Sequence, residues 1–255
     1  MQPLTRAKLD ALDLLDRVRG RRDPLVPPRR LVFVGPGDFV AIGKHFFVLF
    51  RRAGLQPGDD VLDVGCGIGR MAVPLAGWLE GRYEGFDIVR EGIDWCRETI
   101  SSRHPNFGLT HVDVHNGEYN PGGTLRGDEF RFHLDDASFD FALLTSVFTH
   151  LLPAELRHYL SELARVVRPG GTVFATYFLV DGPDAPTAGP ELDFRFERDG
   201  YRTASDTVPE RAVAYELREI RELHAGAGIP VAEVWPGREG ATLQDVTVSR
   251  RAPRA

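Results

Sequence analysis

Three glycines at alternate positions, Gly65, Gly67 and Gly69, close the stretch "VLDVGCGIGR" (residues 61–70), and one acid, Asp63, stands two residues ahead of them. Glycines at the carboxyl end of a short apolar run let a ligand approach backbone that a side chain would screen. The helix expected next adds free N–H groups and the positive end of its dipole. Two ligand classes use such a turn, dinucleotides and adenosyl cofactors. The dinucleotide pattern G-x-G-x-x-G needs its third glycine for close helix–sheet packing, and this chain has Arg70 there. The spacing argues against a pyrophosphate in the turn, and so against a nicotinamide-dependent reductase.

Other residues extend the constellation. Asp87 ends "YEGFD", twenty residues beyond Gly67, where a carboxylate can accept two hydrogen bonds from a ribose diol. It could instead cap the helix that follows. Asp113, in "HVDVHN", is placed to meet an adenine amino group with Val114 flanking the ring, or else to start a turn. His150 closes "LLTSVFTH", where a strand's carboxyl end passes into a turn and catalytic groups gather in open α/β sheets. An imidazole titrates near pH 6.5, so its neutral form is available as a general base. The alternative is a histidine that caps the next helix or fills a core edge. His111 and His115 lie on one face of a strand but roughly 13 Å apart at ~3.3 Å per residue, too far to share one ion, so no metal is expected.

The elements that must hold these residues alternate from Val61 onward. The strands "VLDVG", "YEGFDIV", "FGLTHVDV", "FDFALLTSV" and "TVFATYFLV" are separated by the helices "RMAVPLAGWL", "EGIDWCRETISSR" and "PAELRHYLSELARVV". Pro74 weakens the first of those helices, and Pro153 suits the first turn of the last. Apolar strands alternating with helices imply a parallel sheet covered on both faces. Upstream, residues 1–20 and Phe39–Ala53 read as amphipathic helices joined by the Pro-rich connector "RRDPLVPPRR". Residues 1–54 are therefore expected to form an N-terminal helical extension or cover, and 55–255 the main domain. Two Gly/Pro-rich inserts, 115–134 and 181–207, are too long for ordinary connections and have the character of lids or binding loops. A helix is expected from Pro209 to Ala225, and "VAEVWPG" with "LQDVTVSRR" reads as a terminal hairpin. In "VGPGDF" (34–39), Gly35 and Gly37 could hinge a flexible cover, or mark an ordinary turn.

Composition narrows the classes. The net charge of −6 disfavours nucleic acid and anionic membranes as partners. Two cysteines, Cys66 and Cys96, form no C-x-x-C pair, so a reducing, cytoplasmic setting is expected. No apolar run approaches a signal peptide or a membrane span.

Taken together, "VLDVGCGIGR", "GFD", "SFDFALLTSVFTHL" and "LARVVRPGGTVFATYF" resemble the class I (Rossmann-like) S-adenosylmethionine-dependent methyltransferases over roughly residues 55–180. The resemblance implies an α/β fold with a seven-stranded, mostly parallel sheet, an antiparallel last strand and helices on both faces. It gives the amino-acid and ribose end of the cofactor to Asp63, Gly65, Cys66, Gly67, Gly69 and Arg70. Asp87 would take the ribose, with Ile88 beside it among the cofactor-binding residues, and Asp113 with Val114 the adenine; Thr145, by its position alone, would line the methyl-transfer channel. S-adenosyl-L-homocysteine would be the product. The "YNPGG" insert departs from the usual short link before "SFD" and could reposition the contact at Asp113.

For the acceptor, His115, Tyr119, Asn120 and Ser146 offer polar groups, with Trp235 and Arg238 near the same sheet end. Such a lining suits a small hydroxylated molecule such as a sugar or glycosylated natural product. The expected activity is O-methylation with His150 as base. The alternatives are N-methylation of an amino sugar or small amine, and a cofactor-binding module without catalysis. The chain is expected to be a monomer or a homodimer.

Overall fold

The structure, a computed structural model, describes residues 6–20, 23–33, 35, 37–181, 193–237 and 243–253. Its centre is a sheet of β1 (Val61–Val64), β2 (Tyr83–Asp87), β3 (Phe107–His111), β4 (Phe139–Leu144), β5 (Val167–Leu179), β9 (Val231–Trp235) and β10 (Asp245–Arg250). The order is β3-β2-β1-β4-β5-β10-β9, parallel from β3 to β5, with β10 antiparallel to both neighbours. The expected seven strands and antiparallel last strand are present.

Three short strands go beyond that expectation. The carboxyl end of β5 pairs Phe178 with Ala214 and Leu179 with Tyr215 of β8 (Val213–Tyr215). To β8 are added β7 (Tyr201–Thr203) and β6 (Phe196–Arg198), both antiparallel. The helix expected from Pro209 is therefore corrected to a 3-10 turn at Pro209–Arg211, strand β8, and then α6 (Leu217–Gly226). "AVAY", residues 212–215, is buried throughout, so it has no solvent face to give a helix and completes the edge of β5 instead. The helix expected at 70–79 shrinks to α3 (Ala72–Leu75), with Pro74 inside it and Gly77 at φ +83° just beyond.

Both sheet faces are covered. One packs against α5 (Pro153–Val166) through Leu156, Leu160 and Leu163, and against Phe130 and Phe132 of the 115–134 insert. Phe132 meets Phe86 edge-on at 4.9 Å between ring centres, so the insert is pinned to the sheet rather than held clear of it. The other face receives α2 (Phe39–Arg52), α3 and α4 (Arg90–Cys96), the last continuing as a π-helical turn at Arg97–Ser101. Phe50 of α2 is fully buried with its ring 4.9 Å from that of Phe174, so this helix shares the core of the sheet. α1 (Arg6–Val18) is tied to the connector by Asp13, which accepts hydrogen bonds from the backbone N–H and guanidinium of Arg29. Among the described residues no helix is long and apolar enough to cross a membrane.

Candidate active site

At the carboxyl ends of β1, β2, β4 and β5 the sheet opens into a cavity of about 480 Å³, of the size that takes a small molecule or cofactor. One wall is the glycine turn. Gly65 and Gly67 adopt φ +72° and +57°, a region costly to any residue with a Cβ. A Cβ on Gly65 would also stand 2.4 Å from Val147 Cγ2. The left-handed turn brings Gly65, Cys66, Gly67 and Arg70 to the cavity. Asp87 stitches the turn to the end of β2. One carboxylate oxygen accepts from Gly67 N–H and the other from Val89 N–H, each at 2.7 Å. Each oxygen keeps a further lone pair, so both the ribose and the helix-entry readings of Asp87 are compatible with this geometry. Burial pushes its carboxyl above the usual range, while the N–H donors oppose that shift. Ile88 and Val114 line the cavity beside it.

A second group of lining residues, the acceptor wall, comprises His150, Thr145, Ser146, His115 and Tyr119. His150 Nδ1 lies 2.8 Å from the Glu210 carbonyl oxygen. A carbonyl only accepts, so Nδ1 carries the proton and the lone pair of the neutral ring is on Nε2. Burial, the largest influence, lowers the His150 pKa from its ordinary value. The Tyr119 ring stands edge-on to the imidazole at 5.0 Å, and the buried Asn116 donates from Nδ2 to the His150 carbonyl at 3.0 Å. Ser146 holds φ +60°, rare without glycine, and its hydroxyl reaches Gln244 Oε1 at 3.0 Å, as does Thr176 Oγ1 at 2.6 Å.

Five expected residues do not line the cavity, and their placement departs from the expectation. Asp63, expected at the cofactor's amino-acid and ribose end, is buried away from the cavity. It is fully buried and accepts a hydrogen bond from the Tyr83 hydroxyl, and burial pushes its carboxyl up to about 7. Gly69 makes room for a helix, since a Cβ there would stand 2.7 Å from Ile100 Cδ1 and 3.0 Å from Cys96 Sγ. Asp113 turns outward and accepts from the Thr124 hydroxyl at 2.7 Å and Asn120 Nδ2 at 3.3 Å. Asn120 is spent on that contact and on the Val114 carbonyl at 3.0 Å. The insert thus uses both residues to hold its own loop. Trp235 is also redirected, buried against Phe174 and under the Arg52 guanidinium. Arg238 lies outside the described residues.

Some lining residues carried no sequence signal for a site. Glu155 and Tyr159, one turn apart on α5, face the cavity, as do Phe178 and Gln244. Glu155 accepts from the Leu152 N–H at 2.9 Å, so in sequence it is indistinguishable from a helix cap. Phe178 is one apolar residue in a continuous run. Near the glycine turn, Phe33, Gly35 and Ile42 also line the cavity, with an Arg70 guanidinium nitrogen 3.2 Å from the Gly35 carbonyl.

Residues 62–175 match the family described as "Methyltransferase domain". The chain carries a class I, Rossmann-like methyltransferase domain. It is 30% identical to a fatty-acid O-methyltransferase of Mycolicibacterium smegmatis over 181 residues, 69% of this chain and 56% of that protein. It is 27% identical to the sterol 24-C-methyltransferase ERG6 of Saccharomyces cerevisiae over 148 residues, 57% of this chain and 34% of that protein. The chain thus spans between about a third and just over half of these relatives' lengths. In fold it is similar to the PH0226 protein of Pyrococcus horikoshii, with a TM-score of 0.61 at 16% identity, covering 87% of this chain and 94% of that one.

The cofactor of such a methyltransferase domain is S-adenosylmethionine, and the wall described above fits it. Its chemistry needs a cation for the carboxylate of the amino-acid end, a carboxylate for a diol, and apolar plates for a base. Arg70, Asp87 and the pair Ile88 and Val114 line one cavity and supply those three kinds of surface.

Proposed function

We propose that the protein transfers a methyl group from S-adenosylmethionine to a hydroxyl oxygen of a small acceptor, with His150 as general base. The observation that carries this reading is the hydrogen bond from His150 Nδ1 to the Glu210 carbonyl. It leaves Nε2 as the basic atom of a neutral ring, on a side chain that lines the same cavity as Asp87 and the glycine turn. The bound cofactor supplies a methyl group already activated by a positive sulfur. Asp87 would hold the ribose, Gly65 and Gly67 would let the amino-acid end lie against backbone, and Arg70 would balance its carboxylate. His150 takes the proton of the acceptor hydroxyl as the oxygen gains its new bond. Leu151 and Phe178 exclude water around it, and alignment of this kind can remove up to about 7–11 kcal/mol of barrier.

Asn120 and Trp235, which favoured a sugar, are turned away from the cavity, whereas Phe33, Ile42, Phe178 and Leu243 line it. These walls support an acceptor whose hydroxyl is carried on an apolar body. The test is to incubate the purified protein with methyl-labelled S-adenosylmethionine and a panel of apolar alcohols and phenols, sugars, amino sugars and simple amines, read by mass spectrometry. Label on the oxygen of an apolar alcohol or phenol is the expected result. Label on nitrogen alone would replace this reading with N-methylation, and cofactor binding without any transfer would point to a binding module.

A further inference from the structure

The outward turn of Asp113 leaves a specific gap. The resemblance gives the adenine amino group a carboxylate at the end of β3, yet both oxygens of Asp113 are engaged by Thr124 and Asn120 of its own loop, and the side chain lines no part of the cavity. A second carboxylate does line it. Glu155 spends Oε2 on the Leu152 N–H at 2.9 Å, and Oε1 has no hydrogen-bond partner among the described residues. Glu155 lines the cavity together with Tyr159 of the same helix. Tyr159, one helical turn on, packs edge-on against Phe132 at 5.2 Å, and Phe132 packs on Phe86, the residue before Asp87. Val114 and Ile88 line the cavity with them. A base between these apolar residues would need one polar partner for its exocyclic amine, and an unspent carboxylate oxygen is an acceptor of the right chemistry.

We infer that Glu155 accepts the hydrogen bond of the adenine exocyclic amine, the part that the resemblance gives to Asp113. The inference rests on the reading of this cavity as an S-adenosylmethionine site. Cofactor recognition then includes a residue on α5, which also caps the same helix.

The test compares two ligands that differ at this amine, S-adenosylhomocysteine and S-inosylhomocysteine, in which a carbonyl oxygen replaces it. Calorimetric titration of the wild-type chain should favour the adenosyl ligand by roughly 10–100-fold, as expected of a hydrogen bond to a charged acceptor. Glu155→Gln, which can turn an N–H toward the carbonyl, should bring the two within about threefold. Asp113→Asn should keep the wild-type preference. Because the preference is a ratio within one preparation, partial loss of folded protein does not affect it. Glu155→Gln with the wild-type preference intact, or a loss of preference in Asp113→Asn instead, would overturn the inference while leaving the cofactor reading in place. A wild-type chain that binds neither ligand would overturn both.

Discussion

The two walls of the cavity are built by different means. The part of the cofactor wall that faces the ribose and the amino-acid end comes from residues 64–89, joined by contacts that span few residues: Asp87 reaches Val89 two positions on and Gly67 twenty positions back. The acceptor wall is assembled from distant segments. His150 is oriented by Glu210, sixty residues away, and Ser146 by Gln244, ninety-eight residues away. The first wall follows from strand ends and glycine turns. The second depends on β8 and the preceding turn closing over β5, and on the insert being pinned by Phe130 and Phe132. Changes in the cofactor wall should therefore act locally on folding and cofactor affinity, whereas changes in the acceptor wall should separate turnover from both.

The largest separation is expected at His150. His150→Ala should lower turnover on a hydroxyl acceptor by roughly 10²–10⁴-fold while cofactor affinity by calorimetry stays within about threefold. In the wild type, burial keeps the imidazole neutral further into acid, so the acid limb of the kcat profile should fall below the ordinary imidazole range. A limb above that range, or equal losses in turnover and cofactor affinity, would place His150 in binding rather than proton transfer.

That asymmetry also governs what the sequence revealed. The turn at Gly65 and Gly67, the position of Asp87 and the parallel sheet were legible, because positive φ, a strand's carboxyl end and apolar periodicity are local properties. β8 was not, because "AVAY" forms a strand by pairing on one side with Phe178 and Leu179, far away in the chain, and on the other with Arg202 and Thr203. Asp113 and Asn120 were read toward a ligand because nothing in their spacing shows that a loop will close on them. Glu155 was hidden by its capping role.

A change in the cofactor wall should register in stability. Gly65→Ala should cost about 2–4 kcal/mol, combining left-handed backbone strain with overlap on Val147. Adding Val147→Ala should recover the overlap but not the strain, measurable by denaturant unfolding. Full recovery would mean that the backbone conformation carries no cost.

Behind the acceptor wall, the fully buried His224 lies between the Tyr177 hydroxyl at 2.7 Å and Ser249 Oγ at 3.0 Å. Burial lowers its pKa to about 4. The unfolded chain therefore takes up the proton first. The stabilisation is fully present above about pH 6.5 and is lost as the pH falls through about 4, up to about 3 kcal/mol in total. His224→Gln should flatten that dependence, and an unchanged slope between pH 6.5 and 4 would assign it to other groups.

The smallest effect is expected at Asp113. Asp113→Asn should change S-adenosylhomocysteine affinity by less than about twofold, because the side chain holds its own loop. A tenfold loss by calorimetry would return Asp113 to the cofactor wall.

The most direct test of the two-walled cavity is a crystal structure with S-adenosylhomocysteine bound. The account predicts the amino-acid end against Gly65 and Gly67, the ribose hydroxyls on Asp87, and the sulfur facing the side of the cavity that holds His150. A ligand whose ribose lies away from Asp87, or whose sulfur is walled off from His150, would contradict it.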